Sequence, residues 1–166
     1  MVEKDNVFAT KIKQSGIFDF KDFYRFAYEW LDGEGYDVAE GKYSEKISPG
    51  GKEIEIEWEA KRKISDYFRF VAKVRWRITG MKDVEVQKNG EKINMNKGTV
   101  EIRSKGVLEK DYEHRWEDNP FLKFLRGVYD RYIIRARIDQ YETKLIEEVD
   151  EFIGQCKAFL AMEAQR

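Results

Sequence analysis

Apolar and charged residues alternate without a slip from Glu53 to Ala60, with Ile54, Ile56, Trp58 and Ala60 on one side and Glu53, Glu55, Glu57 and Glu59 on the other. A period of two marks a strand with one wet face. The alternation resumes from Phe68 to Ile78, where Phe68, Phe70, Ala72, Val74, Trp76 and Ile78 oppose Arg69, Val71, Lys73, Arg75 and Arg77. An antiparallel hairpin turning within Lys61–Asp66 sets Glu57 against Lys73, Glu55 against Arg75 and Glu53 against Arg77, while Ile54 meets Trp76 and Ile56 meets Val74. Each cross-strand pair contributes about 0.2–1 kcal/mol, and a slip by one residue would turn the apolar set to water.

More strands follow from turn chemistry. Val84 and Val86 lead into Lys88-Asn89-Gly90-Glu91, where Asn-Gly is a two-residue hairpin signal that pairs Val86 with Ile93 and Val84 with Met95. A second tight turn at Lys97-Gly98 would pair Met95 with Val100 and Ile93 with Ile102, and the last strand could run through Leu108 to Tyr112. Upstream, Tyr36, Val38, Tyr43 and Ile47 form another strand, bulged near Gly41 and closed by Ser48-Pro49-Gly50-Gly51. Residues 36–116 thus read as an antiparallel meander of five or six strands.

The segments on either side read differently. Residues 1–35 hold a short strand, Val7 to Lys13, and then an amphipathic helix capped by Asp19, with Phe20, Phe23, Tyr24, Ala27, Trp30 and Leu31 at helical spacing until Gly33 and Gly35 stop it. Residues 119–164 are helical. Asn119-Pro120 is a start signal, and Phe121, Leu125, Val128 and Tyr132 form a stripe that changes phase near Arg135 to Ile138. A new stripe, Ile138, Tyr141, Leu145, Val149, Phe152, Cys156 and Phe159, continues at spacings of three and four, so either one helix bends or two abut. That narrow, heptad-like stripe can pack across the sheet or form an intermolecular seam. The chain is expected to be a single α+β domain spanning residues 1–166.

Composition narrows the function classes. The 166 residues carry 31 basic against 32 acidic groups, a net charge of -1, so no bulk field draws the molecule to nucleic acid or an anionic membrane; such binding would need a local patch. Arg69, Lys73, Arg75 and Arg77 interleave with Phe70 and Trp76 as on a nucleic-acid surface, but the rings point to the opposite face and the glutamates of the neighbouring strand face the cations. A solvated salt-bridge ladder is therefore expected, with no nucleic-acid partner. The start, Met1 to Asn6, lacks the apolar run of a signal peptide, and no stretch is long and apolar enough to span a bilayer. With Cys156 as the only cysteine, a reducing, cytoplasmic setting without membrane insertion is the expectation.

Candidate chemistry is sparse. His114 is the only histidine and lies among Glu113, Glu117 and Asp118 with no second histidine to complete a metal site; Cys156 sits on an apolar stripe, and no serine lies in a nucleophile elbow. No catalytic, metal or cofactor set is assigned. Arg126, Arg131, Arg135 and Arg137 are the densest cationic cluster, a candidate patch for an anion or an acidic partner, with Asp130 and Asp139 near in sequence. The order of strand, helix, meander and long terminal helix resembles that of helix-grip domains, which hold apolar ligands between a curved sheet and a terminal helix. The resemblance is one of architecture, and implies a cavity lined by Trp58, Phe70, Trp76 and Tyr132. The leading expectation is a non-enzymatic structural or interaction protein that self-associates through Ile138, Tyr141, Leu145, Val149, Phe152 and Phe159, with sheet edges as a further contact. A helix-grip-like binder of a small apolar ligand is the alternative.

Overall fold

The structure, a computed structural model, describes residues 3–110, 120–128 and 135–164. Its strands are β1 (Glu3–Phe18), β2 (Asp37–Ser48), β3 (Gly51–Lys63), β4 (Phe68–Lys88) and β5 (Glu91–Lys110); its helices are α1 (Phe20–Gly33), α2 (Pro120–Val128) and α3 (Arg135–Ala164). The strands form one antiparallel sheet in the order β1-β5-β4-β3-β2. The α+β class and the antiparallel sheet are as the patterning predicts. β2 to β5 are a meander, whereas β1 pairs along β5 from Glu3↔Lys110 to Phe18↔Asn96, joining the first strand to the last.

α1 and α3 cover the same face of the sheet. Asp19 caps α1 by accepting from the Asp22 amide, and Phe20 N donates to Asn96 Oδ1, which ties the helix start to β5. Phe23, Ala27 and Leu31 are buried beneath α1, with Phe23 against Trp76 (ring centroids 5.1 Å) and Tyr24 against Trp58 (5.1 Å). α3 lies over β5 so closely that a Cβ on Gly106 would stand 3.1 Å from the Leu145 side chain and 3.2 Å from that of Val149. Leu145, Val149, Phe152, Ile153, Cys156 and Leu160 are buried there. Phe159 completes the layer by stacking on Phe26 (4.8 Å) and meeting Phe23 (5.5 Å).

A polar clamp fastens α3 to the sheet. Glu148 accepts from the Tyr36 hydroxyl at 2.5 Å and from Arg62 at 2.5 Å. Burial, and then the hydrogen bond to Glu148, push the Tyr36 hydroxyl well above the usual tyrosine range.

Three expectations are corrected. The β3–β4 faces are as the alternation sets them, but the partners lie two residues along: Glu55 faces Arg77, Glu57 faces Arg75, Glu59 faces Lys73, Ile56 meets Trp76 and Trp58 meets Val74. The turn decides this. Ile64 N and Ser65 N both donate to the Phe68 carbonyl, the Ser65 hydroxyl accepts from the amides of Tyr67 and Phe68, and the first pair is therefore Lys63↔Arg69. Lys97-Gly98 is not a turn: β5 runs straight through it with β1 on one side and β4 on the other. Gly98 instead permits close approach, its Cβ direction lying 3.0 Å from the Thr79 carbonyl, where the β4–β5 register shifts. The first strand also extends well beyond Val7–Lys13 at both ends. The Asn89-Gly90 turn is present, with φ of 55 and 82, and holds Val86↔Ile93 and Val84↔Met95.

Candidate functional site

The face turned away from α1 and α3 takes the other half of each strand's alternation. Cross-strand register places its side chains in rows. One row reads Ala39, Glu59, Lys73, Lys105 and Ala9; the next reads Lys42, Glu57, Arg75, Arg103 and Lys11; the third reads Ser44, Glu55, Arg77, Glu101 and Lys13. Between β3 and β4 acid faces base, with Glu57 3.1 Å from Arg75. Between β4, β5 and β1 base faces base in the first two rows, where Lys73 opposes Lys105 and Arg103 lies between Arg75 and Lys11, whereas in the third Glu101 stands between Arg77 and Lys13. Like charges directly opposite are unfavourable by some tenths of a kcal/mol per pair.

Counter-charges are unevenly shared. Lys42 pairs with Glu55 (2.9 Å), Lys61 with Glu59 (3.6 Å) and Arg103 with Glu101 (2.7 Å). Hydrogen bonds from Lys42 and from Arg103 hold the carboxyls of Glu55 and Glu101 below the usual range, so both stay ionised at neutral pH. Lys11, Lys73 and Lys105, among the described residues, have no carboxylate at ion-pairing distance. These three, with Arg75 and Arg103, border a groove of about 820 Å³ on this face, together with Glu57 and Glu59. Ala9, Ala39 and Gly41, which carry little or no side chain, leave its floor open.

A second groove, about 470 Å³, runs outside α1 between Phe20, Tyr24 and Tyr28 and reaches Tyr43 of the edge strand β2. Tyr43 is 48% and Ile47 81% exposed. β2 nevertheless carries the devices that discourage edge pairing. Its register shifts between Glu40 and Lys42, and Glu40, Lys42, Glu45 and Lys46 stud the strand.

The sequence-derived candidates are placed as follows. Of the stripe proposed as a seam, Leu145, Val149 and Phe152 are buried in the chain's own core, and Ile138, Tyr141 and Phe159 pack against it half-buried. Burial likewise pushes the Cys156 thiol up to about 12, far from a reactive thiolate at neutral pH. Trp58, Phe70 and Trp76 do share the helix-facing side, but rings fill the space before them: Tyr24 and Phe23 meet the tryptophans and Tyr141 meets Phe70. Arg135 and Arg137 lie exposed in the first turn of α3 and Arg126 lies in α2; His114, Arg131 and Tyr132 fall outside the described residues. Among the described residues no group of three His, Cys, Asp or Glu side chains could hold a metal ion, and no helix is long and apolar enough to cross a membrane.

Sequence reasoning saw one bank of the basic groove and missed the other. Lys73 and Arg75 were legible beside their glutamates, but Arg103 and Lys105 meet them through the β4–β5 register, and Lys11 joins only through the β1–β5 pairing, which sets it opposite Arg103. The one local signal was the alternation Glu101, Arg103, Lys105 against Ile102, Ser104, Gly106. No protein-family model matches the chain, and a search of curated proteins finds no match.

Proposed function

We propose that this chain is a non-enzymatic binding protein whose working surface is the open face of its sheet and whose partner is acidic. The observation that carries the reading is the meeting of Lys11, Lys73 and Lys105 with Arg75 and Arg103 on three adjacent strands, three of the five without a paired carboxylate among the described residues. Unlike-charged neighbours would stabilise the sheet better, so the arrangement favours a ligand that supplies the missing negative charge. Leu145, Val149 and Phe152 are buried in the chain's own core, and the edge strand β2 is bulged and charged, whereas Lys11, Lys73, Arg75, Arg103 and Lys105 are exposed on this face.

The test is retention of the full chain on an immobilised polyanion such as heparin, eluted by a salt gradient. The wild type should be retained despite its net charge of -1, and the Lys73→Glu, Lys105→Glu double variant should elute near the void. Equal elution of the two would overturn the reading.

A second reading, an interior site for a small apolar ligand, is favoured by one observation. Among the described residues, Trp76 Nε1 and Ser104 Oγ are buried without a hydrogen-bond partner on the helix-facing side of neighbouring strands. A ligand there would have to displace the packed rings of Phe23 and Tyr24. Quenching of tryptophan fluorescence by apolar probes checks it, and an unchanged spectrum speaks against it.

A further inference from the structure

We infer that the ligand of the open face is a compact, soluble oligophosphate, seated across β4, β5 and β1 on Lys73, Lys105, Arg75, Arg103 and Lys11. This rests on the open face being the working surface, and adds the ligand's size and chemistry.

The first argument is dimension. Strands lie about 4.8 Å apart and same-face residues about 6.8 Å apart along a strand. Two rows on three strands therefore make a plot of about 10 by 7 Å at the backbone. Five of its six positions are cations, and the sixth is Ala9, whose methyl leaves room above the floor. Such a plot matches a chain of a few phosphates or a small ring that bears them, and a groove of about 820 Å³ lies within the small-molecule range.

The second argument is enclosure. The carboxylates of Glu57 and Glu59 bound the plot along β3, and in the next row Glu101 stands between Arg77 and Lys13, with Glu55 beyond Arg77, so that cations and acids alternate there. Beyond the other end stand Val71 and Val107, both buried. A nucleic-acid strand would need a basic track that continues past these limits and rings on which bases can stack. Here the rings of Trp58, Phe70 and Trp76 are on the other side of the sheet. Tyr43 and Ile47, the large apolar residues that β2 exposes, also alternate to the helix side, away from the cluster.

The third argument is donor chemistry. Arginine forks bind phosphate oxygens in pairs, and lysine ammonium groups on flexible stems close on the same anion from several directions. The guanidinium groups of Arg75 and Arg103 are each held by a glutamate, Glu57 and Glu101, which orients them at the border while the three unpaired lysines remain available.

The experiment is isothermal titration of the full chain with sodium tripolyphosphate at physiological salt, alongside a long single-stranded oligothymidine. Saturable one-to-one binding of tripolyphosphate is expected, weakened about tenfold by Lys73→Ala or Lys105→Ala and retained by Lys105→Arg. The alanine variants should melt no lower than the wild type, because each removes a repulsion, so their loss of binding cannot be assigned to unfolding. Tripolyphosphate binding that survives the double alanine change would overturn the inference. So would oligothymidine binding tighter than tripolyphosphate binding, because it would require an extended track. If tripolyphosphate fails to bind while heparin retention still depends on Lys73 and Lys105, the oligophosphate inference falls and the acidic-partner reading stands. If neither depends on them, both fall.

Discussion

β4 has two neighbours on the open face and meets them on opposite terms. Towards β3 its cations find Glu55, Glu57 and Glu59; towards β5 Arg77 still finds Glu101, but Arg75 and Lys73 find Arg103 and Lys105, with Lys11 next in line on β1. The backbone ladders are alike on both sides, so the contrast resides in the side chains. Where acid meets base, unlike charges oppose one another and favour the register, closing to an ion pair at Glu57 and Arg75. Where base meets base, hydrogen bonding and the buried face must hold the strands against repulsion. The sheet can carry that cost because its other face buries Trp76, Ile78, Val100, Ile102 and Leu108 almost completely.

The largest expected effect tests that support. Trp76→Ala empties the centre of the helix-facing side, where the ring meets Phe23 and Trp58, and should cost about 3–5 kcal/mol in urea unfolding. A cost under about 1 kcal/mol would mean that the core face is not what holds the cationic strands together.

Next in size is the clamp. Glu148→Gln leaves Arg62 and Tyr36 without their carboxylate and should cost about 2 kcal/mol. The same clamp sets an alkaline limit. The Tyr36 hydroxyl titrates higher in the folded than in the unfolded chain, so the folded state binds more protons once the pH exceeds the ordinary tyrosine value. Stability should therefore fall as pH rises above about 10, and the fall should be shallower in Tyr36→Phe, in which the raised Cys156 thiol and the Tyr24 and Tyr43 hydroxyls remain.

The contrast itself is sharpened by two opposite charge reversals. Lys105→Glu converts a like pair to an unlike one and should stabilise by about 0.5–1 kcal/mol at low salt. Glu57→Lys removes the partner of Arg75 and should destabilise by a similar or smaller amount. Both differences should shrink in molar salt, since the groups face water. The same sign for the two reversals would show that the two seams of β4 do not differ.

The smallest effect is at Glu142. Burial, with Asp5 and Asp139 nearby, raises its carboxyl above the usual range, so the folded chain holds that proton more tightly than the unfolded one. Its contribution is lost as pH rises through the ordinary glutamate range. Glu142→Gln should then be slightly more stable than wild type at neutral pH and indistinguishable below about pH 4, as read from melting curves.

Much of the fold was legible because its signals are local. The alternations of β3 and β4, the Asp19 cap, the Asn89-Gly90 turn and the bulge near Gly41 each depend on a few consecutive residues. The errors came where a choice was degenerate in that local code. A shift of two residues keeps every side chain on its face, so alternation could not tell Glu55↔Arg77 from Glu55↔Arg75; the Ser65 turn told them apart. Lys97-Gly98 has turn composition, and only the presence of strands on both sides shows that its glycine serves close approach. The terminal stripe gave its apolar face correctly but not what covers that face, and Leu145 and Val149 find Gly106 of the chain's own sheet.

The candidate site divides along the same line. By itself the amino-acid order determined which residues of each strand face water, because the period of two is a property of the extended backbone. It determined that Lys73, Arg75, Arg103, Lys105 and Lys11 are surface cations. Only the tertiary structure decided that they stand together. That followed from β5 running unbroken beside β4, which sets Lys105 and Arg103 against Lys73 and Arg75, and from β1 choosing β5, a pairing whose reward is spread over the whole ladder from Glu3↔Lys110 to Phe18↔Asn96 and is therefore invisible to any short window of sequence.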